Sequence, residues 1–250
     1  MYQIRREKIR EYIKDRRIVS IRELHELCPE VTLMTLHRDL DALANSGRII
    51  KVRGGVRITD GPSGDPSFKS REKENTEQKG IIATKAVGLI REGGSVFFDA
   101  GTTTLAVIRS LPDINLTVIT NGANFAGELQ RFTNVSVYMC CGALNRYNMA
   151  LSGQSTLRFL ETINIDLGFI GVSGYSAKCG FTCGNEAEML VKKLVIQKAR
   201  RSVILMDASK LARLMPYTFA RLEDIDVLAG DGMLPDDLLR DAAEADTDVL

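Results

Sequence analysis

Hydrophobic positions change their period along this chain, and the change divides it. Up to residue 58 they recur at helical spacing and then in two short runs. Ile4, Ile9, Tyr12 and Ile13 stripe a predicted helix over residues 4–14. Ser20-Ile21-Arg22-Glu23 is a capping box, in which the serine oxygen accepts from the Glu23 N–H while the glutamate reaches back. It opens a short helix carrying Ile21, Leu24 and Leu27. Pro29 and Glu30 make a turn, and Thr32 caps a third helix whose Leu36, Leu40 and Leu43 fall at i, i+4 and i+7. That helix ends near Asn45-Ser46-Gly47. RIIKVRGGVRI follows, two β-prone runs joined by Gly54-Gly55, which reads as a hairpin.

Residues 59–80 are rich in Gly, Pro, Ser and charge and nearly empty of large apolar groups, so they read as a linker whose charged end enters a helix. Beyond it, short β-rich runs (VFFDA, LTVIT, VSVYMC, LGFIGV, SVILMD, IDVLA) alternate with helical stretches such as TTLAVIRSL and NEAEMLVKKLVIQKAR. This alternation predicts a mainly parallel, three-layer, Rossmann-like α/β sheet. The expected organisation is a first domain over 1–58, a linker over 59–75 and an α/β domain over 76–250.

Composition sharpens the division. The net charge of +1 is an average: residues 1–57 hold 13 Lys and Arg against 8 Asp and Glu, and the rest holds 20 against 24. A basic head on a mildly acidic body points to a polyanion met by the head alone. Three helices and a hairpin are the plan of a winged helix-turn-helix. No apolar run approaches the about 18–20 residues of a membrane span, and the charged N-terminus lacks the apolar core of a signal peptide, so the expected location is the cytoplasm, without a membrane partner. The five cysteines form no disulfide-framework pattern, and the two histidines lie far from the Cys179 and Cys183 pair, so neither a metal nor a cofactor is expected.

With Leu36, Leu40 and Leu43 inward, Met34, Thr35, His37, Arg38 and Asp41 lie on or beside the outer face, the one a recognition helix lays in the major groove. Arg38 suits guanine or phosphate, and Thr35 a base or phosphate. The caps Ser20 and Thr32 and the hairpin cations Arg48, Lys51, Arg53 and Arg57 extend this DNA-facing set. The bland alternative is a solvated basic helical bundle.

In the body, ligands of a parallel sheet gather beyond the carboxyl ends of the strands. After VFFD, Gly101 permits close backbone approach, and the N–H groups and hydroxyls of Thr102, Thr103 and Thr104 open a helix whose positive end favours an anion. Other strand ends bring Asn121, Gly142, Ser173, Gly174, Ser209 and Lys210, the last a candidate for phosphate charge. Asp99 and Asp207 can accept sugar hydroxyls or merely cap their turns. Asn185, Glu186 and Glu188 open a helix, and Glu188 with Lys192 is an i,i+4 pair that can simply support it.

Both halves resemble the DeoR family of bacterial transcriptional regulators. The head does so through VTLMTLHRDLDALANSGRIIKVRGGV, and the body through FFDAGTTT, VITN, CGALNR, SGQST, DLGFIGVSG, GFTCGNEAEMLVKK and MDASKL. The resemblance implies a winged-helix DNA-binding domain and a sensor domain related in fold to ribose-5-phosphate isomerase. It further implies a homo-oligomeric repressor, dimer or tetramer, of a carbohydrate-catabolic operon, relieved by a phosphorylated sugar or related metabolite. The chain departs from the family in carrying His37-Arg38 where two arginines are usual, and Asn145–Leu151 is unfamiliar. Two other readings compete: a sugar-phosphate isomerase with an accessory head, and a binding module whose α/β body only dimerises. An isomerase needs a general base beside the reacting carbon; Asp99, Glu188, Asp207 and Lys210 are suitable types, but no catalytic acidic and lysine-glycine motif accompanies them.

Overall fold

The computed structural model describes residues 2–16, 18–45, 49–58, 67–211 and 213–250, which divide into two compact units, 1–74 and 75–250. No helix among the described residues is long and apolar enough to cross a membrane.

The first unit contains α1 (Tyr2–Arg16), β1 (Ile18–Ser20), α2 (Ile21–Leu27), α3 (Leu33–Asn45), β2 (Ile49–Val52), β3 (Gly55–Ile58) and α4 (Phe68–Glu72). Its core joins Ile9, Ile13, Val19, Leu24, Leu36, Leu40, Leu43, Ile49 and Val56. The capping box forms: the Glu23 N–H donates to Ser20 Oγ at 3.2 Å, and the Ser20 N–H donates to Glu23 Oε2 at 2.8 Å. Thr32 caps α3 by accepting the Thr35 N–H at 3.3 Å.

Ile4 departs from the predicted stripe and is 77% exposed. It precedes Ile9 by five residues, which carries it around the helix from the Ile9–Ile13 face. Arg5 and Arg6 fall nearer that face and both pair with buried Asp39 of α3, at 2.6 and 2.7 Å. Charge therefore joins α1 to α3 at the position where the stripe predicted an aliphatic contact.

The strands pair antiparallel in the order β1-β3-β2. The turn of the wing is Arg53-Gly54, with Gly54 at φ +80°, while Gly55 already belongs to β3. Gly55 is required by proximity: a Cβ there would lie 2.4 Å from the Val19 carbonyl oxygen of β1. Within the expected linker, α4 forms where Ser67 Oγ accepts the Ser70 N–H at 3.3 Å and Phe68 is buried. Five residues are too few to show a helical period in sequence. Residues 59–66 of that linker lie outside the described residues.

The second unit runs α5 (Thr76–Val87), β4 (Ser95–Phe98), α6 (Thr102–Arg109), β5 (Leu116–Thr120), α7 (Ala126–Leu129), β6 (Val135–Met139), β7 (Ala143–Asn145), β8 (Ala150–Ser152), α8 (Gln154–Glu161), β9 (Ile165–Gly171), β10 (Gly174–Ser176), β11 (Gly180–Cys183), α9 (Glu186–Lys198), β12 (Ala199–Met206), β13 (Tyr217–Ala220), β14 (Val227–Gly230), α10 (Asp236–Glu244) and β15 (Asp248–Val249). The main sheet has seven strands, all parallel, ordered β15-β14-β12-β9-β4-β5-β6. All six predicted β runs lie in it. Phe97, Ile119, Ile170 and Ile204 join Leu160, Val191 and Val195 of α8 and α9 in one core cluster. The alternate positions Val96, Phe98, Val118, Phe169 and Val203 are equally buried and face the other way, as the two-residue period of a strand requires. Two small antiparallel sheets, β7-β8 and β10-β11-β13, add to the predicted plan; runs of three or four residues are too short to carry a readable period.

Asp39→Ala is expected to lower the stability of the first unit by about 1–3 kcal/mol, less than a fully buried pair would lose because both arginines remain partly exposed. Denaturant unfolding of the full chain, followed by a probe in that unit, measures it; an unchanged midpoint would show the pairing to be idle.

Candidate ligand site and nucleic-acid interface

Strand order locates the site in the body. From β4 the sheet continues through β5 and β6 on one side and through β9, β12, β14 and β15 on the other. The loops leaving β4 and β9 therefore part company, and the crevice at such a switch point is where parallel sheets take ligands.

A buried charge cluster lies at this switch point. Asp99, just beyond β4, is 1% exposed, and its Oδ2 accepts the Gly171 N–H at 3.2 Å from the end of β9. Lys192 of α9, 2% exposed, donates to the same Asp99 oxygen and to Gly171 O at 2.8 Å. Its Nζ also lies 3.3 Å from Glu188 Oε1. Burial acts against the ammonium, but Asp99 and then Glu188 more than offset it, so Lys192 holds its proton above the ordinary lysine range. The predicted i,i+4 pair is therefore present, and its lysine also spans the sheet's division.

Glu188 is held from both sides. Oε2 accepts from Asn185 Nδ2 and Asn148 Nδ2, each at 3.2 Å. Asn185 caps α9 through its Oδ1, which accepts the Glu188 N–H at 2.9 Å. Neighbouring Cys183 is buried, and burial first, then Glu188, pushes its thiol up to about 12. Glu186 is exposed at the start of the helix.

The threonine loop divides its labour. Gly101 is the N-cap of α6, in extended conformation. Thr104 is fully buried, and its hydroxyl donates to Asp99 O at 2.6 Å, with Gly101 O at 2.8 Å. Thr102 and Thr103 are 7% and 9% exposed at the helix entrance, where the first N–H groups lack intrahelical acceptors. Asn121 is internal: its Oδ1 accepts the Ala100 N–H at 2.7 Å, and its Nδ2 donates to Leu151 O at 3.3 Å. Gly142 and Gly174 are glycines by packing, since a Cβ would lie 2.4 Å from Thr156 Oγ1 in one case and 2.1 Å from Arg213 O in the other. Buried Ser173 donates its N–H to Thr182 O at 3.1 Å.

Beyond β12, Asp207 splits its carboxylate. Oδ1 accepts the Ser209 N–H at 2.9 Å, the Ser209 hydroxyl and Asn75 Nδ2 at 3.3 Å. Oδ2 is buried without a hydrogen bond, 4.0 Å from Lys210 Nζ. Sequence reasoning missed Asn75, buried Lys79 and Asp231, which sit at the start of α5 and beyond β14. It also missed Asn148, which lies in the unfamiliar 145–151 stretch beside Met149 at φ +59°. A strand-end survey finds Asp231; no sequence signal marks the other three.

In the first unit, α3 presents Met34, His37 and Arg38 to solvent, with Thr35 half-buried beside them. Arg38 makes no ion pair with another described residue. Lys51 of β2 pairs with Asp41 of α3 at 2.5 Å, so the wing is tied to the recognition-type helix. Arg53 is exposed in the wing turn, and Ser20 is occupied by its capping box. Arg48 lies outside the described residues.

A basic winged helix-turn-helix and a parallel α/β body with polar residues gathered at its switch point define a two-part, DNA-binding sensor type of protein. Comparison places it: residues 5–61 match the DeoR-like helix-turn-helix domain, and residues 74–232 match the DeoR C terminal sensor domain. The chain belongs to the DeoR family of transcriptional regulators. Relatives include the HTH-type transcriptional regulator GlpR of Haloferax volcanii, 38% identical over 81% of this chain and 80% of that protein. The HTH-type transcriptional repressor GlcR of Bacillus subtilis is 33% identical over 89% of this chain and 86% of its own. Among solved structures, ribose 5-phosphate isomerase A from Methanocaldococcus jannaschii aligns over 56% of each chain with 18% identity and a TM-score of 0.42.

Lys192→Met is expected to cost about 3–5 kcal/mol at pH 7, because it strands the Asp99 carboxylate. The raised lysine pKa means that the native pair contributes fully throughout the neutral range and fades only as pH rises through the folded value. The deficit of the variant should therefore hold through the neutral range and shrink as pH rises through that value. Chemical denaturation across pH tests this; a pH-independent deficit would point to lost packing instead.

Proposed function

We propose that this regulator represses a carbohydrate-catabolic operon in the cytoplasm, and that a phosphorylated sugar in the body's crevice relieves repression. The observation that carries this reading is the pairing of open helix-entrance N–H groups at Thr102 and Thr103 with polar strand ends. The entrance suits a phosphate; Asp207 with its unbonded Oδ2 suits a sugar hydroxyl; Lys210 supplies positive charge. Thr104, Asn121, Asp99 and Lys192 shape the crevice rather than read the ligand. The repressor named among the relatives supports the direction of control.

A sensor fits better than an isomerase. Of the candidate bases, Glu188 has both oxygens engaged, and Asp99 is held by a lysine and a backbone N–H. Isomerisation of a sugar phosphate abolished by Glu188→Gln would reverse this reading.

The regulator works by linkage. Effector favours an arrangement of the DNA-binding heads that no longer matches two operator half-sites, and operator weakens effector binding by the same factor. Thr103→Val and Lys210→Ala should each blunt the effector's release of operator in a gel shift while leaving effector-free DNA affinity intact. Normal induction in both would move the pocket elsewhere. Arg38→Ala should cost about 1–3 kcal/mol of specific binding through loss of a bidentate base contact; retained affinity and sequence preference would remove Arg38 from the readers.

A further inference from the structure

The seven-stranded sheet ends differently on its two sides. On one side β15 is two residues long, and its Asp248 is engaged by Arg201 at 2.7 Å. On the other, β6 is five residues long and, among the described residues, pairs only with β5. Inner strands of this sheet are buried on both faces, but the middle of β6 is exposed on both, between half-buried Val135 and Met139: Val137 is 37% and Tyr138 52% exposed, and they point to opposite faces. Leu144, just beyond, is 45% exposed. The stretch Val135 to Leu144, VSVYMCCGAL, contains no charged residue in a chain that is 26% charged. Natural edge strands are protected by charge, proline, bulges or brevity, and β6 has none of these.

We infer that the open edge of β6 is where a second copy of this chain pairs, strand to strand and antiparallel about Val137. Such an isologous contact sets each side chain against itself or a near neighbour, so any charge would meet a like charge. An uncharged stretch is the composition that tolerates self-pairing. With the two-fold axis at Val137, the two Val137 side chains meet on one face and Ser136 meets Tyr138 of the second copy on the other. The two sheets become one of fourteen strands, the backbone groups of the edge are satisfied, and the exposed aliphatic and aromatic surface is covered. A two-fold assembly also provides the pair of heads that helix-turn-helix proteins place on half-sites. The pairing does not depend on the identity of the effector.

The mass of the full chain, without DNA or sugar, tests it by sedimentation equilibrium. The expected wild-type mass is at least twice 27.6 kDa. Val137→Asp places two carboxylates across the axis and should move the association midpoint to about 100-fold higher concentration, or halve the mass if wild type is a tetramer. In a Cys141→Ser background, Val137→Cys should give a disulfide-linked dimer on mild oxidation, whereas Val249→Cys at the opposite edge should not. The cross-link decides alone if Val137→Asp fails to fold. A monomeric wild type at tens of micromolar, an unchanged mass in folded Val137→Asp, or no cross-link at Val137 would each overturn the proposal. Failure of every phosphorylated sugar to release operator from a wild type of at least twice 27.6 kDa would count against the sensor reading and not against this interface.

Discussion

A lysine buried beyond the carboxyl ends of a parallel sheet's inner strands dictates its own surroundings. The ammonium of Lys192 has left water, so it must be given acceptors, and it takes them from both sides of the sheet's division: Asp99 beyond β4 and Gly171 at the end of β9. Much of the crevice follows from that. Asp99 cannot turn outward to solvent, its carbonyl becomes an acceptor for Thr104, and the entrance of α6 is fixed beside it. Glu188 completes the neutralisation and is in turn positioned by Asn185 and Asn148. The site's polar groups are thereby oriented before any ligand arrives, which lowers the ordering cost of binding.

This economy separates the residues whose polar groups are already engaged from those the proposed ligand would meet. Thr104 and Asn121 belong with Asp99 and Lys192 as scaffold, their hydrogen bonds already spent within the protein. Thr102, Thr103 and Asp207 Oδ2 retain unspent capacity. On the reading proposed above, a sensor changes its ligand through the second set without rebuilding the sheet.

Much of the architecture was legible in sequence, for physical reasons. Leu36, Leu40 and Leu43 repeat at a spacing only a helix brings to one side, and the six β runs alternate with helices as a parallel sheet demands. Ser20 and Glu23 announced their mutual hydrogen bonds because a capping box is local. What stayed hidden was non-local. Nothing in the i,i+4 spacing of Glu188 and Lys192 reveals that the lysine reaches a carboxylate 93 residues earlier. Arg5 and Arg6 read as solvated charge until α3 brings Asp39 to them. Asn148 contributes through a loop whose neighbour Met149 adopts a left-handed backbone, a conformation that sequence does not advertise for methionine.

The bond between Lys51 and Asp41 bears on how tightly the head holds any nucleic acid. A free surface lysine approaching DNA displaces condensed cations from the phosphates, and the entropy of their release drives much of the binding. Lys51 already carries its own counter-charge. A phosphate that takes it must evict Asp41, leaving a carboxylate facing a polyanion, and that opposes part of the gain. The wing is thus partly self-neutralised, so indiscriminate attraction to DNA is weaker than its count of basic residues implies. With α3 as the proposed reader, discrimination then rests more on the shape and sequence it meets than on the pull of bulk charge.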